Sequence, residues 1–254
     1  MDKMLYLAMS GAKQNMLGVS MHANNLANSK TIGFKADLEQ ARSMQAFGEG
    51  LPSRVFSMTE SPGQNMSGGA LITTGRELDI ALQGQGWFAV QDNTGNEAYT
   101  REGNLSITPE GLLTTARGNP IMGEGGPILL PVPVEKVHIG TDGSVVVRPQ
   151  GAPTNFVEVV DRIKVVEMNN DNKLDKGTDG LFRPSELNAF GQCGFCELSP
   201  NVKIINGALE ASNVNPVSEM ISMISLQKQF EIQSKLMKEA KQMDTKSDML
   251  MRVF

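Results

Sequence analysis

Apolar side chains open the chain at helical spacing. Leu5, Met9, Ala12, Met16, Val19, Ala23 and Leu26 follow one another alternately four and three residues apart. This repeat predicts an amphipathic helix over residues 1–30 with a heptad seam. No Pro interrupts the run, Gly11 and Gly18 are isolated, and at ~1.5 Å per residue it spans about 40 Å. A helix so poor in large aliphatics is marginal alone in water, so its stripe needs a partner. The far end of the chain offers one. Residues 216–254 again read as helix, with Pro216 in the first turn and Asn215 or Asn213 as the cap. Val217, Met220, Ile221, Ile224, Phe230, Leu236, Ala240, Met243 and Leu250 supply its apolar side. Gln227, Lys228 and Gln233 interrupt that stripe, which predicts contact with more than one neighbour.

Between these ends the period changes from helix to strand. Gly, Ser, Pro and Thr crowd residues 31–78 and predict an extended, irregular or β connecting region. From residue 79 to about 200, short apolar runs alternate with turn signals. Trp87-Phe88-Ala89-Val90, Val137-His138-Ile139 and Ser144-Val145-Val146-Val147 are examples of the runs; Asn93-Thr94-Gly95 and Asp142-Gly143 are examples of the turns. Many short strands at such spacing predict an antiparallel β domain. Residues 201–215 form a return segment to the last helix. The fold class expected is therefore α+β: long N- and C-terminal helices packed as a coiled-coil-like assembly domain, with an antiparallel β-rich central domain.

Composition sharpens the picture at the helices. Eleven of the sixteen Met residues lie within residues 1–30 and 216–254, and pliable thioethers suit a helix that packs against non-identical surroundings. The net charge of -5 gives no broad attraction for phosphate backbones or anionic lipid, so nucleic-acid partners are not expected. No segment reaches the ~18 consecutive apolar residues of a membrane span, so direct membrane insertion is not expected. Met1 to Ser20 lacks the basic, apolar and small-residue regions of a cleaved signal, which predicts a chain that is cytoplasmic or exported without cleavage.

Candidate chemistry is sparse. Cys193-Gly194-Phe195-Cys196 has the spacing of a redox pair or half a zinc site, but with only His22 and His138 besides it reads as structural or incidental. His22 and His138 read as packing or interface residues. Asn169 to Asp175 places Lys173 and Lys176 where a calcium loop needs a ligand and Gly, and reads as a polar turn. Gly84-Gln85-Gly86 lacks a third Gly at fingerprint spacing and reads as a turn entering a strand. No nucleophile elbow, zincin pair or phosphate loop is present in the sequence. No catalysis, metal or cofactor is expected.

Three stretches carry a resemblance. Ala23-Asn24-Asn25-Leu26-Ala27-Asn28 with Thr31-Ile32-Gly33-Phe34-Lys35 resembles the N-terminal signature of the flagellar rod and hook protein family. Gly207 to Val217, with Glu219-Met220 and Met223-Ile224, resembles its C-terminal signature. Ile80 to Val90, Tyr99-Thr100-Arg101-Glu102-Gly103-Asn104 and Gly118 to Ile128 are similar to its β-domain motifs. The opening residues and Asp179-Gly180-Leu181-Phe182-Arg183 are most similar to the proximal, F-type branch; the distal, G-type branch and a monomeric helix-hairpin/β binding module are the alternatives. The resemblance implies a structural subunit of the basal-body rod that transmits torque and forms part of the export-channel wall. It also implies export through the flagellar type III apparatus without a cleaved signal, a periplasmic site, and packing against copies of itself and other rod proteins. The assembly contacts expected are the seven seam residues together with Val217, Met220, Ile221, Ile224 and Phe230. Asn24, Asn25, Asn28, Gly33 and Phe34 are expected to set the first helix's exit, and Asn213, Val214 and Asn215 the return.

Overall fold

A computed structural model describes residues 2–45, 55–151, 153, 156–167, 174–184 and 202–251. Cys193, Cys196 and Asn169 to Lys173 lie outside these residues. In chain order the elements are helix α1 (Asp2–Ala27), then β1 (Gln40–Gln45), β2 (Val55–Glu60), β3 (Leu71–Thr73), β4 (Ile80–Gln83), β5 (Gly86–Gln91), β6 (Glu97–Thr100), β7 (Leu105–Ile107) and β8 (Leu113–Thr115). They continue with β9 (Val134–Ile139), β10 (Ser144–Pro149), β11 (Glu158–Arg162), β12 (Val165–Glu167), β13 (Leu174–Lys176), β14 (Phe182–Pro184), β15 (Lys203–Asn206), β16 (Ala208–Glu210) and helix α2 (Pro216–Met251). The chain divides into two compact units: a helical unit of residues 1–29, 36–65 and 214–254, and a β unit of residues 30–35 and 66–213.

Asn215 starts α2. Its Oδ1 accepts hydrogen bonds from the amides of Val217 (3.1 Å) and Ser218 (3.4 Å), Pro216 occupies the first turn where no amide is needed, and Glu219 adds a negative charge there. Asn213 is not the cap; its side-chain amide donates instead to the Ser67 carbonyl at 3.0 Å. Helix α1 closes on its own signature. Asn28 Nδ2 donates to the carbonyl and the side chain of Asn24, both at 2.9 Å, and Ser29 Oγ donates to the Leu26 carbonyl at 2.7 Å.

The expected coiled-coil-like assembly domain is corrected. Among the described residues there are two helices, packed with the antiparallel β1–β2 ribbon in one unit, and the remaining elements are antiparallel strands. The physical reason lies in which face of α1 turns inward. Ala12, Gly18 and Asn25 are buried, whereas Met9 and Met16 of the expected seam are 55% and 62% exposed. On the α1 side the inner contact is made chiefly of small and polar groups. A Cβ at Gly18 would strike the Glu39 carboxylate and Leu226, and one at Gly11 would strike the Gln233 amide. Such a surface lets elements approach closely, but it presents no apolar knobs to fill holes.

In the β unit, a five-stranded antiparallel sheet has the order β12-β5-β6-β14-β13. Phe88, Val90 and Ala98 enter the main core with Leu105, Leu113, Ile121, Val145 and Ile163. Trp87, Ala89 and Tyr99 enter a second cluster with Val166, Leu174 and Phe182. Alternate side chains of β5 thus go to opposite faces, and both faces are covered. That is why this strand reads as one continuous apolar run. Full burial of each large side chain contributes about 1.5–3 kcal/mol.

Candidate functional site

Within the β unit, three of the resembling stretches meet around one carboxylate. Glu210, at the end of β16, is 3% exposed; Lys35 is 1% and Arg101 4% exposed. Lys35 Nζ lies 2.6 Å from Glu210 Oε1, and Arg101 Nη1 lies 2.8 Å from Glu210 Oε2. The Gly69 amide donates to Oε1 at 2.9 Å. The cations are also held by carbonyls: Ser67 accepts from Lys35 Nζ at 2.8 Å, and Gly84 from Arg101 Nη2 at 2.7 Å. The Arg101 guanidinium sits 5.3 Å from the Trp87 ring centre, and the Gly33 amide donates to the Glu210 carbonyl at 2.8 Å.

Burial opposes ionisation of Glu210, but Arg101, Lys35 and the Gly69 amide outweigh it and hold its carboxyl below the ordinary carboxylate range. The latch is a salt-bridged knot inside protein. It positions chain segments and offers no open face to a substrate. Among the described residues, no group of three or more His, Cys, Asp or Glu side chains is placed to hold a metal ion.

Gly33 and Phe34, expected at the helix exit, lie against this knot. The Phe34 ring carries the Lys176 ammonium at 3.9 Å, Lys176 Nζ donates to the Lys35 carbonyl at 3.2 Å, and the Asn213 amide donates to the Phe34 carbonyl at 3.3 Å. Lys35, Arg101 and Glu210 themselves were missed as site residues. The available signal was a charge embedded in each small-residue motif, Gly-Phe-Lys, Thr-Arg-Glu-Gly and Ala-Leu-Glu-Ala.

Acid stability follows from these carboxylates. Thr94 and Arg183 hold Asp92 below its ordinary value, and Arg183 does the same for Asp179. A depressed folded-state value contributes stability above the unfolded-state value, and that stability is lost as pH falls through the folded-state value. For Glu210, Asp92 and Asp179 the losses all fall below their ordinary values of 4.5 and 3.8. Burial holds the Glu102 carboxyl above its ordinary 4.5, so its contribution has the opposite sign and is complete by that pH. The urea midpoint followed by Trp87 fluorescence is therefore expected to drop below about pH 4.5, where only the depressed carboxylates still titrate. A midpoint that rises below that pH would contradict this.

The helical unit has its own clasp. Asn25, 2% exposed, pairs with backbone as a strand would: its Nδ2 donates to the Asp37 carbonyl and its Oδ1 accepts from the Asp37 amide, both at 2.9 Å. His22 lies between two carboxylates, Glu219 at 2.5 Å from Nδ1 and Glu39 at 2.7 Å from Nε2. The neighbouring Asn24 is exposed and serves the helix end.

Other predicted contacts face outward. Besides Met9 and Met16, the exposed residues include Val217 (63%), Met220, Ile221 (62%) and Ile224 (53%). Leu5, Val19, Ala23, Leu26 and Phe230 are half-buried, and Ala12 and Val214 are buried. Tyr6, Leu17, Ile232, Leu236 and Met243 extend the exposed apolar surface. Exposed apolar groups thus recur along both helices of this unit. The acidic and basic residues of the helical unit cancel, so the net charge of -5 resides in the β unit.

Comparison with known proteins places relatives beside these observations. Residues 205–248 match the family model "Flagellar basal body rod FlgEFG protein C-terminal", and residues 81–147 match "Flagellar hook protein FlgE/F/G D1 domain". The chain is 38% identical to the flagellar basal-body rod protein FlgF of Escherichia coli, over 93% of each chain. It is 37% identical to FlgF of Salmonella typhimurium, over 99% of each. It is 29% identical to the flagellar basal-body rod protein FlgG of Buchnera aphidicola, over 94% of this chain and 96% of that one.

Proposed function

We propose, from the fact that this chain belongs to the flagellar basal-body rod protein family, that it is a structural subunit of the proximal rod and catalyses no reaction. The observation that carries the reading is the outward apolar surface of α1 and α2, where Met9, Met16, Val217, Met220, Ile221 and Ile224 stand exposed. Such side chains gain by leaving water, about 25 cal/mol per Å² of apolar surface covered. Against a different patch on the next subunit they give a heterologous contact, and contacts of that kind repeat into an open helix. The subunit's partners are copies of itself and other rod proteins, and the contacts, acting in parallel, transmit torque and wall the export channel. A helical unit without net charge sets up little repulsion between stacked copies, and the acidic β unit keeps the free subunit soluble. Identities of 38% and 37% to two FlgF relatives, against 29% to a FlgG relative, support the proximal position. Export through the flagellar type III apparatus, without a cleaved signal, and a periplasmic place in the basal body belong to the same proposal.

The test uses exposed positions, because a charge there spares the fold of the free chain. Ile221→Glu combined with Ile224→Glu is expected to leave the helical circular dichroism of the free chain, and its unfolding midpoint, unchanged. Burying an uncompensated charge costs about 3 kcal/mol or more, so incorporation into basal bodies should fall over a hundredfold. Leu26 is a poorer probe, since it is half-buried in the free chain. Normal motility of the double variant, or a density map of isolated basal bodies without this chain in the rod, would overturn the proposal.

A further inference from the structure

We propose that Met9, Met16, Met220 and Met243 are sites of reversible oxidation by hydroperoxides, and that the modification withdraws the subunit from assembly. The second half rests on the assembly reading above. The helical unit holds two classes of methionine on the same two helices. Met9, Met16, Met220 and Met243 are 55%, 62%, 49% and 57% exposed, and Met249, near the end of α2, is 67% exposed. Met21, Met223 and Met237 are only half-buried neighbours on the inner sides of the same helices. Exposure decides which sulfur a small oxidant reaches first.

In the step, the thioether lone pair attacks the terminal oxygen of the hydroperoxide. The O–O bond breaks and an S–O bond forms. Sulfur loses two electrons, the hydroperoxide is reduced to water or an alcohol, and no proton is gained or lost overall. Return to the thioether uses a dithiol, which becomes a disulfide and releases water, the chemistry of the methionine sulfoxide reductases.

The sulfoxide oxygen is a strong acceptor with a large bond dipole. On a free subunit it points into water, and the fold is unaffected. A subunit contact that buries it without a donor loses about tenfold in affinity or more for each site. Aliphatic side chains stand beside the thioethers on the same surface, Val217, Ile221 and Ile224 on α2 and Leu17 on α1. Packing by itself therefore does not require sulfur at these positions, and Leu is a fair replacement.

The experiment treats the full-length chain with hydrogen peroxide and follows each methionine by peptide mass spectrometry. Co-sedimentation with purified rod proteins of the same flagellum measures incorporation. Met9, Met16, Met220 and Met243 should oxidise several-fold faster than Met21, Met223 and Met237. The oxidised chain should keep its helical circular dichroism and lose incorporation at least about tenfold, and the two epimer-specific sulfoxide reductases should restore it. A chain carrying Met9→Leu, Met16→Leu, Met220→Leu, Met243→Leu and Met249→Leu should incorporate equally before and after peroxide. Equal oxidation of both classes, or full incorporation of the oxidised chain, overturns the inference alone. Failure of the untreated chain to co-sediment overturns the assembly reading, and the loss-of-assembly claim with it.

Discussion

Glu210→Ala is expected to destabilise the β unit by about 3–5 kcal/mol, because it strips two buried cations of their shared counter-charge. Lys35 Nζ keeps the Ser67 carbonyl and Arg101 keeps the Gly84 carbonyl, but neutral acceptors do not replace a carboxylate at 2.6 and 2.8 Å. The Gly69 amide also loses its acceptor. The single Trp of the chain lies 3% exposed beneath Arg101, so urea unfolding followed by its fluorescence reads this unit directly. The distinguishing control is a triple variant, Glu210→Leu with Lys35→Met and Arg101→Met. Removing all three charges together should recover much of the loss, since the penalty arises from uncompensated charge and not from missing volume. If Glu210→Ala unfolds within 0.5 kcal/mol of the parent, on the order of a surface substitution, the latch contributes nothing.

Gly33→Ala should cost about 3 kcal/mol, from two sources that act at one atom. Gly33 has φ +68°, which an L side chain rarely adopts. A Cβ there would also stand 2.4 Å from the Arg101 carbonyl carbon and 2.5 Å from its oxygen. Backbone atoms cannot swing aside as a side-chain tip can. The Gly33 amide is bonded to the Glu210 carbonyl, so relaxation at Gly33 disturbs the same segment that carries the latch. Gly75 provides the comparison: its φ is +72° but nothing lies within 4 Å of an added Cβ. Gly75→Ala should therefore show the conformational penalty alone, about 1 kcal/mol. Equal losses at the two positions would show that the close approach to Arg101 is not what selects Gly33.

Much of this architecture was legible because local chemistry dictates it. The Asn215-Pro216 pair announces the start of α2, since a capping oxygen and a residue without an amide satisfy a helix end before any tertiary contact forms. Trp87 to Val90 announces a strand covered on both faces. The apolar repeat at residues 5–26 announces a helix correctly, yet it misleads about the face. Met9 and Met16 satisfy the heptad arithmetic but point away from the chain's own contacts, while Gly18, His22 and Asn25 do the inward work. Hydrophobicity ranks side chains by their transfer from water; it is silent about backbone approach and about polar groups that are buried once bonded.

By itself, then, the sequence determined the two terminal helices, the antiparallel β body and the family, because propensity, capping and alternation act between residues a few positions apart. The tertiary structure alone decided that Lys35, Arg101 and Glu210 share one buried site, and that His22 lies between Glu39 and Glu219. It also decided which apolar side chains of the helices stay exposed. Those facts depend on where distant segments come to rest, and the direction of a charge or a methionine is set only when the surrounding backbone has closed around it.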